Sequence, residues 1–225
     1  MVMRITFLLF PNLTQLDFTG PLQVLSRLPG AEVALAAKAK ALVPTDTALT
    51  LNPTHDFDDC PPTDLLCVPG GFGIDDAMQD QDTIAFVKRE GESAKYVTSV
   101  CTGAFMLGVA GFLQGKKATT HWAYHDDLKA VGAEPVKARV VRDGNLFTGG
   151  GVTAGIDFAF TLAAEIAGEE VARAIQLGLE YDPAPPFQAG SPDKAAAPAL
   201  EAMQARYAPR VAEFRKALAA AKARQ

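Results

Sequence analysis

The sequence predicts an α/β protein of flavodoxin-like type, with a mostly parallel sheet and helices on both faces. Three observations lead there. Strand-length apolar runs alternate with helix-length segments along the chain. The runs are continuous rather than alternating, as in strands buried on both sides. At 225 residues the chain can also bury one substantial core, which favours one domain over two.

Taken in order, "RITFLLF" (4–10) is a buried strand and Pro11-Asn12 a turn. "QLDFTGPLQVLSRL" (15–28) is a helix, with Thr19 as its candidate cap and Pro21 in its first turn. "AEVALAAKA" (31–39) reads as a second strand, and the irregular stretch up to "CPPT" includes a short hairpin. "DLLCVPGG" (64–71) returns to strand, "DTIAFVKREGESA" (82–94) to helix and "KYVTSV" (95–100) to strand. A buried helix follows over 102–115, closed by Gly115. "KKATT" with "HDDLKAVG" forms another strand–helix pair, and "ARVVRDGNLFTGG" is a hairpin turning on Asp143-Gly144. Residues 153–181 are helical with an interruption at Gly168; a Pro-rich connector then leads to an Ala-rich helix. The predicted division is an α/β domain over 1–190 and a C-terminal helical extension over 191–225 packed on the same domain.

Composition excludes several classes of function. The formal net charge of −5 disfavours a nucleic-acid platform, which normally carries a basic stripe. No run reaches the roughly 20 apolar residues that span a bilayer, and the apolar start is too short for a signal peptide. A cytoplasmic protein is the expectation. The three cysteines, at 60, 67 and 101, give neither a disulfide framework nor a zinc pattern. His121 and His125 stand four apart, but no third ligand is in view, so neither a metal nor an organic cofactor is expected. "GGGVTA" (149–154) satisfies a dinucleotide glycine pattern, yet it lies late in the chain instead of after the first strand.

Cys101 is the residue that invites chemistry. It ends a buried strand and runs into "TGA", as a nucleophile elbow does. Such a corner lifts the side chain above the carboxyl edge of the sheet, and the following helix start favours thiolate over thiol. Cys60 and Cys67 lack that setting and read as structural. Asp17 is either a helix cap or an acid, Thr102 a cap or a holder of substrate or water, and His121 a base for the cysteine or a satisfied polar residue at a strand end.

"VTSVCTGAFMLGVAGFLQGKKATTHW" resembles the DJ-1/PfpI superfamily, whose elbow cysteine heads a short helix and is followed by a "TTH" segment. The resemblance covers nearly the whole chain. Four stretches, "LLFPNLTQLDFTGP", "VTSVCTGA", "RVVRDGNLFTGGGVTAGIDFA" and "EYDPAPPFQAGSP", are similar to the isocyanide-hydrating branch of that superfamily. It implies a DJ-1/PfpI-type sheet, a small-molecule isocyanide as substrate and a homodimer, with no nucleic acid and no membrane as partner. It also implies Cys101 as nucleophile, Asp17 as a protonated carboxylic acid touching the thiol, and Thr102 beside them. Gly150, Val152, Gly71 and His121 are implied as the substrate-binding surroundings. The rival expectations are a DJ-1-type glyoxalase or other hydrolase using His121, and a thiol-sensing or ligand-binding domain. Regulators with such a domain append helix-turn-helix units, for which the residues after Ser191 show no pattern.

Overall fold

Leu65–Val68 and Tyr96–Val100 are buried at every position, as runs with no polar face must be. A computed structural model describes residues 2–224. In chain order, β1 (Met3–Leu8) and β2 (Ala31–Ala37) precede a small hairpin of β3 (Val43–Pro44) and β4 (Thr50–Leu51). Then come β5 (His55–Asp56), β6 (Leu65–Val68) and β7 (Tyr96–Val100). A two-stranded ribbon of β8 (Lys117–Ala118) and β9 (Glu134–Pro135) precedes β10 (Val140–Asp143) and β11 (Leu146–Gly149). The central sheet has the order β10-β11-β7-β6-β1-β2-β5 and is parallel except for β10, which pairs antiparallel with β11.

Two groups of helices cover the sheet. α1 (Gln15–Leu25) packs on α5 (Ala154–Ala167), which packs on α6 (Glu169–Gly178). The second group is α2 (Ile74–Ala77), α3 (Gln81–Ser93), α4 (Gly103–Val109), a 3-10 stretch (Trp122–Val131) and the long α7 (Ala197–Lys222). Val211, Phe214, Leu218 and Ala221 of α7 are buried, and Phe214 meets Phe105 of α4 edge-on at 4.6 Å. Among the described residues no helix is long and apolar enough to cross a membrane.

Three local expectations change. Thr19 does not cap α1: Thr14 holds the N-cap position, and the Thr19 hydroxyl donates to the carbonyl of Gln15 inside the helix at 3.0 Å. "KKATT" does not join the central sheet, because Lys117 and Ala118 pair with Glu134 and Pro135 instead, and the segment after it winds as 3-10 helix. The helix over 102–115 stops at Val109, where Gly111 (φ 95°) and then Gly115 (φ 68°) turn the chain. Gly168 (φ 90°) divides 153–181 into α5 and α6, since only glycine enters that backbone region at little cost.

The strand order sets where a site can form. From β1 the chain moves outward to β2 and β5, then returns to the other side of β1 to lay down β6 and β7. β1 and β6 therefore part at their carboxyl ends, leaving a crevice of the kind in which open α/β sheets bind ligands.

Candidate active site

Four loops meet at that crevice: 9–14 after β1, 69–73 after β6, the Cys101 corner after β7, and 150–153 after β11. Cys101 has φ 56°, the left-handed region that a residue with a side chain enters only under constraint. The constraint is visible. The Cys101 N–H donates to the carbonyls of Gly149 and Gly150 at 3.0 and 2.9 Å, and its carbonyl accepts from the Thr120 hydroxyl at 2.7 Å. Thr120 comes from the "TTH" segment, so that motif holds the elbow.

Gly103 permits the close approach of helix and strand: a Cβ there would lie 2.2 Å from the carbonyl oxygen of Val68. Both atoms belong to fixed backbone, so Gly103→Ala should displace the elbow at a cost of at least about 1–3 kcal/mol. Urea unfolding checks this, and an unchanged midpoint contradicts it.

Asp17 lies in the first turn of α1 but caps nothing. Its Oδ2 accepts from the Gly70 N–H at 3.0 Å, its Oδ1 is buried with no hydrogen-bond partner, and the carboxyl interacts electrostatically with the Cys101 thiol. Asp17 is fully buried, and this desolvation pushes its pKa up to about 7 against the pull of the Gly70 N–H and the thiol. Burial and the nearby Asp17 charge likewise push Cys101 well above the ordinary thiol range, while the N–H groups of Thr102 and Val152 pull it down. This corrects the expectation of a resting thiolate. α4 spans only seven residues, and two N–H bonds do not offset burial beside a carboxylate. Carboxyl and thiol titrate as a coupled pair, in which a proton is easily passed across one contact.

A stability effect follows with a definite sign. Between the ordinary Asp value of 3.8 and about 7 the folded protein holds a proton that the unfolded chain has lost. Rising pH across that window must therefore destabilise the wild type relative to Asp17→Asn, and above it the difference levels off. Urea midpoints measured from pH 4 to 8 test this; parallel profiles for the two proteins would contradict it.

The other expected residues fall into distinct places. Thr102 lines the cavity, and its hydroxyl accepts from the Gly71 N–H at 3.0 Å, tying the 69–73 loop to the elbow instead of capping α4. Gly71 (φ 129°) has no room for a Cβ, which would meet the Thr14 nitrogen at 2.4 Å. Val152 (φ 30°) lines the cavity and directs its N–H to the sulfur, whereas Gly150 is not part of the cavity wall and meets Cys101 through the backbone, its carbonyl accepting from the Cys101 N–H. His121 lines the cavity and packs against Gly151; its Nδ1 accepts from the Ala123 N–H at 3.3 Å. Burial pushes His121 down to about 4, which makes it a weak base. His125 is buried on the same 3-10 stretch, and among the described residues no group of metal ligands forms. Burial holds Cys60 up at about 11 and Cys67 at about 12, so neither resembles a nucleophile.

The cavity above the sulfur is about 60 Å³, and sequence reasoning missed much of its wall. Phe72 and Ile74 come from the 69–74 segment, Tyr124 from the 3-10 stretch, and Tyr207, Arg210 and Phe214 from α7. Arg210 forks onto Asp75 and also donates to the Phe72 carbonyl at 2.9 Å, pinning α7 to the cavity rim. No local signal marks these residues. A larger hollow of about 240 Å³ lies by Arg4, Glu32 and His55, away from Cys101.

Residues 3–165 match the DJ-1/PfpI family. The chain belongs to it. Among DJ-1/PfpI proteins it is 56% identical over 209 residues to an isonitrile hydratase of Pseudomonas putida, covering 93% of this chain and 92% of that one. The crystal structure of a ThiJ/PfpI family protein from Pseudomonas syringae is 41% identical, with a TM-score of 0.94 over 97% of this chain and 91% of that one. A deglycase of Thermococcus kodakarensis is 32% identical over 145 residues, 64% of this chain and 87% of its own length. α7 lies outside the family match, although it supplies part of the cavity wall.

Proposed function

We propose that this protein hydrates isocyanides to N-formamides, with Cys101 as nucleophile and Asp17 as the general acid and base. The observation that carries the reading is the buried interaction of the Cys101 thiol with the Asp17 carboxyl. The extended identity to a Pseudomonas putida isonitrile hydratase supports it.

An isocyanide, R–N≡C, carries an electrophilic terminal carbon and no charge, which suits a soft nucleophile in an aromatic-walled cavity. The sulfur attacks that carbon. Asp17 takes the thiol proton and returns it to the carbon, giving the thioimidate R–N=CH–S–Cys101 and regenerating the carboxylate. The carboxylate then removes a proton from water as its oxygen attacks the same carbon. Collapse to the carbonyl, with the remaining hydroxyl proton ending on nitrogen, expels the sulfur, which recovers the proton from Asp17, and R–NH–CHO leaves. Thr102 and the Val152 N–H hold the reacting geometry, and no metal or organic cofactor takes part.

Purified protein given cyclohexyl isocyanide in ¹⁸O-water should release the formamide with the label in its formyl oxygen. Unchanged isocyanide, with turnover of methylglyoxal alone, would overturn the reading in favour of a glyoxalase. We further infer a cytoplasmic homodimer, a single α/β domain over 1–190 and a helical extension over 191–225. Exposed Leu177 and Phe187 support the pairing of subunits.

A further inference from the structure

The reaction above needs a proton at nitrogen when water adds, and the Asp17 carboxyl serves the sulfur and the water. Tyr124 meets that need. Its residue is only 3% exposed, it lines the cavity with Cys101, and no hydrogen bond from another described residue reaches its hydroxyl. Its ring is held edge-on to Phe214 at 4.8 Å and to His121 at 6.0 Å. A cavity-lining phenol whose hydroxyl has no protein partner is free to donate to a bound substrate, and a ring packed on two sides is held in place to do so. The groups that act on it electrostatically are Arg210, Cys101, Tyr207 and Asp75. Burial pushes it up to about 12, so it is a donor throughout the neutral range.

We propose that Tyr124 is a catalytic residue whose hydroxyl donates to the substrate nitrogen during hydration of the thioimidate. The proposal rests on the isocyanide reading and assigns that reaction its last unplaced proton. As the water oxygen bonds to carbon, the C=N π pair moves to nitrogen, which takes the Tyr124 proton; Asp17 takes the proton lost by water. The tetrahedral adduct is then R–NH–CH(OH)–S–Cys101. Its hydroxyl returns a proton to the Tyr124 oxygen as C=O forms and the C–S bond breaks, and Asp17 reprotonates the sulfur. Isocyanide and water have become formamide, and all three side chains are restored.

Tyr124→Phe keeps the ring packing and removes only the donor. Formation of the thioimidate precedes the step assigned to Tyr124, so its rate should stay within twofold of wild type. Hydration should slow on the order of tenfold to a hundredfold. Rapid-quench mass spectrometry should then show the variant accumulating protein heavier by one isocyanide, while KM does not rise. Turnover within twofold of wild type, or a loss of turnover with no adduct, overturns the role of Tyr124 alone. Adduct formation slowed in step with turnover also overturns it, since that is the mark of a disturbed cavity. Wild-type protein that leaves isocyanide unchanged overturns the underlying reading as well.

Discussion

Cys101→Ala is expected to leave no measurable isocyanide hydration while the protein remains folded. The variant removes the atom that bonds to the substrate, and neither other cysteine can replace it: Cys67 is enclosed within β6, and Cys60 lies in the loop before that strand, beside the Thr6 hydroxyl and outside the cavity. The loss should be on the order of 10⁴-fold or more, as for other removed nucleophiles. The fold survives because the strain at φ 56° is held by backbone carbonyls and by Thr120, none of which touches the sulfur. Alanine adds no bulk and meets the same backbone cost as cysteine. Formamide production by NMR, with the melting temperature as control, checks both halves. Turnover above about one per cent of wild type in a folded variant would remove the covalent route.

Asp17→Asn is expected to lower kcat by about 10²–10⁴-fold, the usual worth of a positioned acid and base. Its side chain is nearly isosteric, its carbonyl oxygen can still accept from Gly70, and the neutral amide relieves the cost of burying a carboxylate. What disappears is the exchangeable proton. The wild-type rate should rise with pH toward a plateau through about 7, as Asp17 ionises and becomes able to act as base; the residual rate of the variant should lack that limb. Asp17→Glu probes geometry instead of chemistry. Asp17 has no exposed surface, and an extra methylene must displace the carboxyl by about 1 Å or more. A hundredfold loss is the scale for such an error. A glutamate variant as fast as wild type, or an asparagine variant keeping the limb near pH 7, would take proton transfer away from Asp17.

Much of this site was legible in the chain, for reasons that differ by residue. Cys101 stood out because an elbow is local: strand, nucleophile and tight turn are consecutive, and Gly103 follows at the spacing the close approach requires. Asp17 was legible only through the family resemblance, since an aspartate in the first turn of a helix has an ordinary local explanation. Tyr124, Tyr207 and Arg210 carried no signal. Tyr207 and Arg210 fall in a stretch that reads only as an Ala-rich helix and Tyr124 just ahead of another helix, and nothing in a stretch of sequence tells which residue will face a cavity built by other segments. Thr102 shows the same limit: beside a helix start it looks like a cap, yet its hydroxyl serves Gly71, thirty-one residues away in the chain.

The amino-acid sequence alone determined the parallel sheet, the positions of its buried strands, the corner that presents a single sulfur, and the absence of any cysteine pattern for metal or disulfide. These follow from hydrophobic periodicity and turn chemistry, which act over a few residues. Tertiary structure alone decided the protonation of that sulfur and the wall around it. Both depend on what is buried against what: desolvation beside Asp17 outweighs the pull of two N–H groups, and α7 closes the cavity from the far end of the chain.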